Sequence, residues 1–204
     1  MNVAVRDDSA DAGSVDADWI GRCRAGDKFA WRQLYDQHAP AVYRLGRRMG
    51  LSEERTADVC QEVFLRVHRN LGHFRGDAQF STWLYRIAMN EVSRALREGS
   101  VRRAFAALIG HKSHDLQPEP DPGPERRAQA GEAAEVLAQI LARMKPKKRS
   151  VFVLFELEDL STEEIAQVMG CGVETVKSRL RHARAEFDRL HKQRTLVVMQ
   201  GGKS

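Results

Sequence analysis

Between Asp58 and Arg97 aromatic and cationic side chains alternate. Phe74, Phe80, Trp83 and Tyr85 fall among Arg75, Arg86, Arg94 and Arg97. A flat ring for a base to stack on, with a guanidinium beside it for a phosphate, is the chemistry that unpaired nucleic acid demands. The stretch divides into two helical patterns around a short loop, His73–Gln79, which carries Gly76. Before the loop, Val59, Val63, Val67 and Leu71 step by four and make a core-facing stripe. Asp58, Gln61, Glu62 and Arg66 fall largely off that stripe. After the loop, Phe80, Leu84, Ile87 and Ala88 open a second amphipathic helix that continues through Val92 and Leu96. Trp83 and Phe80 sit at helical spacing, so both are expected to be at least partly core.

A second stretch with legible chemistry is LSTEEIAQVMGCGVETVKSRLRHARAEFDRL. Ser161 with Glu164 three residues on is a capping box, which starts a short helix. Gly170–Cys171–Gly172 makes a tight turn. Val173, Val176, Leu180, Ala183, Phe187 and Leu190 then recur at steps of three and four. A short helix, a glycine turn and a second helix are a helix-turn-helix. The second helix has a polar face of Thr175, Lys177, Ser178, Arg179, Arg181, His182 and Arg184, suited to phosphates and base edges in a major groove.

The remaining elements position these two stretches. Residues 1–15 are acidic, small and polar, and read as a disordered leader and not a signal peptide. A first helix is expected from near Asp16, capped by Asp16 or Asp18, with Trp19, Ile20 and Cys23 inward. Gly26–Asp27 breaks it. The next helix runs to Gly50, with Phe29, Leu34, Tyr35, Val42, Tyr43 and Leu45 at helical spacing and Pro40 as a bend or boundary. Ser52, followed by two acids, starts the helix that carries the valine stripe. From Glu98 to about Gly131 proline, glycine and charge dominate, which reads as a flexible tether. His111 and His114 lie in it without other ligands, so no metal site is assigned. Ala133, Val136, Leu137, Ile140 and Leu141 form one apolar face, and Pro146 fits the first turn of the following helix. The run Val151–Leu157 is read as helix, because no second strand exists to pair with it.

The expected fold is therefore all-α: two small helical domains at 16–97 and 132–192, a linker at 98–131 and a tail at 193–204. The 204 residues carry a net charge of +5 and a sequence pI near 9.3, consistent with a polyanionic partner. Three widely spaced cysteines make neither a zinc site nor a disulfide framework, which fits a reduced, cytoplasmic setting. No run is long enough to span a bilayer. There is no glycine-rich phosphate loop, metal cluster or nucleophile–base pair, so an enzyme is not expected and no cofactor or small-molecule substrate is assigned.

Taken in order, DVCQEVFLRV, FRGDAQFSTWLYRIAMN and ETVKSRLRHAR resemble three motifs of the bacterial RNA polymerase sigma factors of the extracytoplasmic-function type, in the sigma-70 family. The resemblance covers about residues 16–97 and 132–190. It implies two helical domains, regions 2 and 4, and a protein that binds core polymerase and directs it to promoters. By position, Asp58, Gln61, Glu62 and Phe64 resemble the residues that dock on the β′ clamp helices; an acidic, amide-bearing face can pair with basic groups on a protein. Phe74, Arg75 and the loop to Gln79 resemble the pocket for a flipped-out −10 base, and Asn90 a residue that hydrogen-bonds it. Thr82, Trp83 and Arg86 fall where the non-template strand would run. Lys177, Ser178, Arg179 and Arg181 resemble contacts to the −35 element. The resemblance further implies contact with the β flap and restraint by an anti-sigma factor. Two departures bear on promoter preference: Phe155 stands where relatives often carry arginine in a Leu-Arg-Glu run, and His182 where arginine is common. From the residues alone, a polymerase-independent helix-turn-helix regulator is the alternative.

Overall fold

The computed structural model describes residues 19–108 and 124–201. All regular structure in them is helical: α1 (residues 19–24), α2 (Lys28–Arg48), α3 (Glu53–Asn70), α4 (Phe80–Leu108), α5 (Pro124–Arg143), α6 (Pro146–Glu156), α7 (Thr162–Met169) and α8 (Val173–Gly201). A single 3-10 turn, Leu71–His73, follows α3.

The caps explain where the helices begin. The Asp27 carboxylate accepts from the backbone N–H of Phe29 and Ala30 and starts α2. Ser52 accepts from Arg55 N–H and starts α3. Ser161 and Glu164 close a reciprocal capping box on α7. Each such cap stabilises its helix by about 1 kcal/mol. Gly170 ends α7 at φ 60°, the left-handed conformation that glycine adopts without a Cβ penalty.

The first domain packs α2, α3 and α4 together. The α3 stripe is its spine, with Val63 and Val67 fully enclosed and Val59 and Leu71 buried. Each such valine contributes roughly 1.5 kcal/mol or more by leaving water. Leu34, Val42 and Leu45 of α2 and Leu84, Ala88 and Val92 of α4 close on it. Phe29 and Tyr35, expected inward, are instead 62% and 44% exposed. Pro40 lies inside α2 without ending it. The second domain wraps α8 with α5, α6 and α7 around Ile140, Leu141, Val151, Leu154, Ile165, Val176, Leu180 and Leu190. Val151–Leu154 is helical, with Pro146 at the start of α6, as its neighbours in sequence require.

Three boundaries differ from expectation. Residues 98–108 and 124–131, read as tether, belong to α4 and α5, and residues 193–201, read as tail, belong to α8. The arginine- and alanine-rich composition of 97–108 propagates a helix already nucleated at Phe80, which costs less than starting one. Residues 1–18, with the leader and the Asp16 or Asp18 cap, and His111 and His114 lie outside the described residues.

The two domains pack directly on each other, with α4 against α7. Arg149 of α6 is buried and donates to the carbonyls of Met49 (2.7 Å), Ala142 and Met144. Gly50, at φ 88°, makes room for it: a Cβ there would lie 2.7 Å from Arg149 Nη1. Burial alone pushes the Arg149 pKa below the usual guanidinium range, so its three carbonyl partners do the work of keeping it solvated.

Candidate nucleic-acid interface

The His73–Gln79 loop is anchored from beneath. Arg24 at the end of α1 donates Nε to the Leu71 carbonyl at 3.1 Å and Nη2 to the Phe74 carbonyl. Trp31 reaches back to the Cys23 carbonyl at 2.9 Å and packs on His68, 4.8 Å between centroids. These ties join α1, α2 and α3 to the loop's first residues. Phe74 is half-buried against Phe80 and Trp83, with centroids 5.8 and 5.3 Å away. Phe80 is core, and Trp83 is half-buried. The aromatic set is thus a cluster whose rim, not whose whole, is open.

Behind the loop, the end of α3, the 3-10 turn and α4 enclose a pocket of about 240 Å³. Arg66, Asn70, His73, Trp83, Asn90 and Glu91 line it. That is below the usual range for drug-sized ligands and suits one flat ring. Asn90 is exposed at its edge, and its amide has no hydrogen-bond partner among the described residues. Arg75 and Arg86 are exposed and likewise unpaired among the described residues. Gln79 is exposed; its side chain accepts from the Ser81 hydroxyl at 3.5 Å and its carbonyl from Trp83 N–H at 3.1 Å. Of the residues singled out in the sequence, Trp83 and Asn90 line this pocket, and His73 is the residue of the His73–Gln79 loop that does so; Phe74, Arg75 and Gln79 do not line it, and Asn70 and Glu91 were not singled out. The spacing of Arg66 and Asn70, four apart at the end of α3, was the available signal.

Thr82 corrects the expectation that it lies on an open strand path. It is 3% exposed, and its hydroxyl donates to Glu164 Oε1 of α7 at 3.0 Å. Nearby, the Tyr85 hydroxyl donates to Glu158 Oε2 at 2.7 Å. Arg48 Nη1 meets the other carboxylate oxygen of Glu158 at 2.5 Å and the Leu157 carbonyl at 2.8 Å. Burial, then the bond to Glu158, raises the Tyr85 pKa far above the ordinary phenol range, so the hydroxyl stays a donor. For Glu164 burial opposes ionisation, but hydrogen bonds from Ser161 and Thr82 outweigh it and hold the carboxyl below its ordinary value. One face of the first turns of α4, at Thr82 and Tyr85, is therefore covered by the second domain.

On the outer side of α3, Asp58 and Gln61 are exposed and Glu62 is half-exposed. Phe64 turns inward instead, buried against Tyr35 at 4.7 Å. Leu65, 51% exposed, takes the apolar place on that face. The polar face continues across to α4 as a chain of ion pairs: Arg55–Glu98 (2.6 Å), Arg66–Glu62 (3.3 Å), Arg66–Glu91 (2.8 Å) and Arg94–Glu91 (2.9 Å).

The basic helix α8 presents Thr175, Lys177, Ser178, Arg181 and His182 to solvent. Lys177 pairs with Glu174 at 2.9 Å, and its bond to Glu174 raises its pKa. Arg179 is half-buried beside Cys171. His182 Nδ1 lies 2.8 Å from the Ser178 carbonyl, so Nδ1 carries the donated hydrogen and Nε2 faces out. Arg184 bonds Glu156 at 2.6 Å, and its guanidinium lies over the Phe155 ring, 5.1 Å from the centroid. A cation supplied from α8 thus lies over the Phe155 ring. Among the described residues no group of His, Cys, Asp and Glu could hold a metal ion, and no helix is long and apolar enough to cross a membrane.

Comparison with known proteins agrees with this geometry. The Sigma-70 region 2 family model matches residues 34–101, and the Sigma-70 region 4 model matches 134–187. The RNA polymerase sigma-H factor of Pseudomonas aeruginosa is 34% identical over 183 residues, covering 85% of this chain and 92% of that one. The extracytoplasmic-function sigma factor SigM of Mycobacterium tuberculosis is 33% identical over 177 residues, covering 86% and 84%. Among solved structures, CnrH in complex with the cytosolic domain of CnrY matches with a TM-score of 0.64 at 24% identity, covering 86% of this chain and 96% of that one. RpoE of Bartonella quintana, in complex with the anti-sigma factor NepR, matches at 0.62 and 19%, covering 79% and 96%. The chain belongs to the sigma-70 family and is a sigma factor of the extracytoplasmic-function group.

Proposed function

We propose that the exposed acidic face of α3 docks this chain on core RNA polymerase, and that the two DNA-facing surfaces then act in sequence. Asp58, Gln61, Glu62 and Leu65 meet the β′ clamp helices, with Phe64 supporting them from below. Helix α8 reads the duplex −35 element through Thr175, Lys177, Ser178, Arg181 and His182, mainly at phosphates. Arg179 and Arg184 flank that face, and the second domain meets the β flap. The loop Phe74–Gln79, Trp83 and Asn90 hold an extruded −10 base, while Arg75 and Arg86 follow the strand. Thr82 joins that path only after α7 leaves it.

The observation that carries the reading is the single-base pocket behind the loop, with unpaired Asn90 at its edge and unpaired arginines beside it. Extruding a base costs a few kcal/mol. Stacking returns about 1–3 kcal/mol. Melting therefore needs the further contacts that core polymerase supplies. The chain performs no covalent chemistry; polymerase makes the RNA. An anti-sigma factor restrains the chain in the cytoplasm; the similar RpoE of Bartonella quintana is found in complex with one, NepR.

Run-off transcription with purified chain and core polymerase tests this. Promoter-specific transcripts are expected, and their absence on every fragment the chain binds would favour a polymerase-independent regulator. Glu62→Lys should weaken holoenzyme assembly on a sizing column with helical content unchanged.

A further inference from the structure

Asp58 and Glu62, the two carboxylates of the proposed docking face, lie one helical turn apart on α3. Each has an arginine of its own helix beside it. Arg55 Nη1 is 3.7 Å from Asp58 Oδ2, and Arg66 Nε is 3.3 Å from Glu62 Oε1. Both arginines, however, lie closer to an acid of α4. Arg55 Nη2 is 2.6 Å from Glu98 Oε2, and Arg66 Nε is 2.8 Å from Glu91 Oε1. Arg94 joins the two α4 acids, at 2.9 Å from Glu91 and 3.8 Å from Glu98. Signs alternate along this whole chain of pairs, and it begins and ends on the two docking carboxylates. A set of exposed pairs alone would be a solvated face with little effect. This one is anchored, because Glu91 is 4% exposed. A buried carboxylate that lost an arginine would be left short of countercharge, so Glu91 keeps its grip on Arg66.

We propose that Glu98 is a positioning residue for core polymerase docking: it holds Arg55 back from Asp58, as Glu91 holds Arg66 back from Glu62, and both docking carboxylates are left to basic groups of the polymerase. The proposal rests on the docking reading given above. Two cations brought against one carboxylate repel each other. An internal arginine that closed on a docking acid would therefore compete with the polymerase for it. An arginine drawn toward α4 still softens the repulsion between Asp58 and Glu62 in the free chain, yet does not close on either. Neither α4 acid has to touch the polymerase for this, and Glu91 is too buried to do so.

The test is equilibrium binding of the full chain to core polymerase at roughly 0.1 M salt, where neighbouring exposed charges still act on one another. Glu98→Gln keeps the side-chain shape but frees Arg55 to close on Asp58. Assembly should weaken about threefold, with helical content unchanged. In the Arg55→Gln background the same Glu98→Gln change should have no effect, because the cation through which it acts is gone. Weakening by the same factor in both backgrounds would mean that Glu98 attracts the polymerase by its own charge, and it would overturn the proposal. So would the absence of weakening when Arg55 is present. The cycle of Glu91→Gln with Arg66→Gln reads the other end in the same way, and an additive result there overturns the role given to Glu91. An Asp58→Asn chain that assembles as well as wild type is a different result, since it sinks the docking reading itself.

Discussion

Helices α4 and α8 carry the two proposed DNA-binding faces, and these differ in readiness. The outer face of α8 is open along Thr175, Lys177, Ser178, Arg181 and His182. The first turns of α4 are roofed by α7, with Thr82 bonded to Glu164 and Tyr85 to Glu158. On the proposed reading, duplex binding by α8 needs no rearrangement in the chain, whereas a strand along α4 reaches Thr82 only if the domains part, although Arg86 and Asn90 are already exposed. Elements named for positions about 25 base pairs apart also lie more than two turns of DNA, roughly 70 Å or more, from one another. On the proposed reading, a chain with α4 against α7 cannot serve both at once.

The junction can be broken at its most buried charge. Glu158, whose side chain is 3% exposed, holds Arg48 and Tyr85 together. Glu158→Ala leaves both without their carboxylate, and closure should weaken by about 3 kcal/mol. The distance between dyes on the two domains, or the radius of gyration, should increase. An unchanged value would mean that Arg149 and the apolar contacts suffice. Asn90→Ala comes next: fork-junction binding by holoenzyme should fall roughly tenfold, with −35 duplex binding untouched. Equal loss of both would remove the distinction between the two helices. Arg181→Ala should act the other way, weakening −35 duplex binding severalfold across sequences and reducing its salt slope by about 1; a sequence-selective loss would make Arg181 a base reader. The smallest effect is on pH. Glu164 has a depressed pKa, so its stabilisation is complete above the ordinary carboxyl value of 4.5 and is lost as pH falls below it. Acidification should therefore open the junction slightly, and Thr82→Val should remove the part that runs between domains.

Most of the architecture was legible because it rests on local rules. The Ser52 and Ser161 caps, the α3 valine stripe and the Gly170 turn each declare themselves within a few residues. Phe64 was misplaced because docking and burial ask for the same residue type, and only tertiary packing chooses between Phe64 and Leu65. Thr82 and Tyr85 were unreadable for a different reason. Their partners Glu164 and Glu158 lie in the other domain, and no periodicity within one helix encodes a hydrogen bond between domains. Glu91 was not singled out because an acid three or four residues from an arginine in a helix ordinarily signals a surface pair.

Arg24 is not itself a proposed DNA contact, yet on the proposed reading it bears, through Phe74, on the lifetime of the open complex, for a reason that concerns time and not affinity alone. By holding the carbonyls of Leu71 and Phe74, it orders the start of the base-binding loop during folding. The conformational entropy of those residues is then lost before DNA arrives and need not be lost on capture. A loop set in advance releases its base more slowly, because differences between related complexes fall mostly on dissociation. If the loop holds a base as proposed, helix α1 bears on how long a promoter stays melted, although none of its side chains is proposed to touch it.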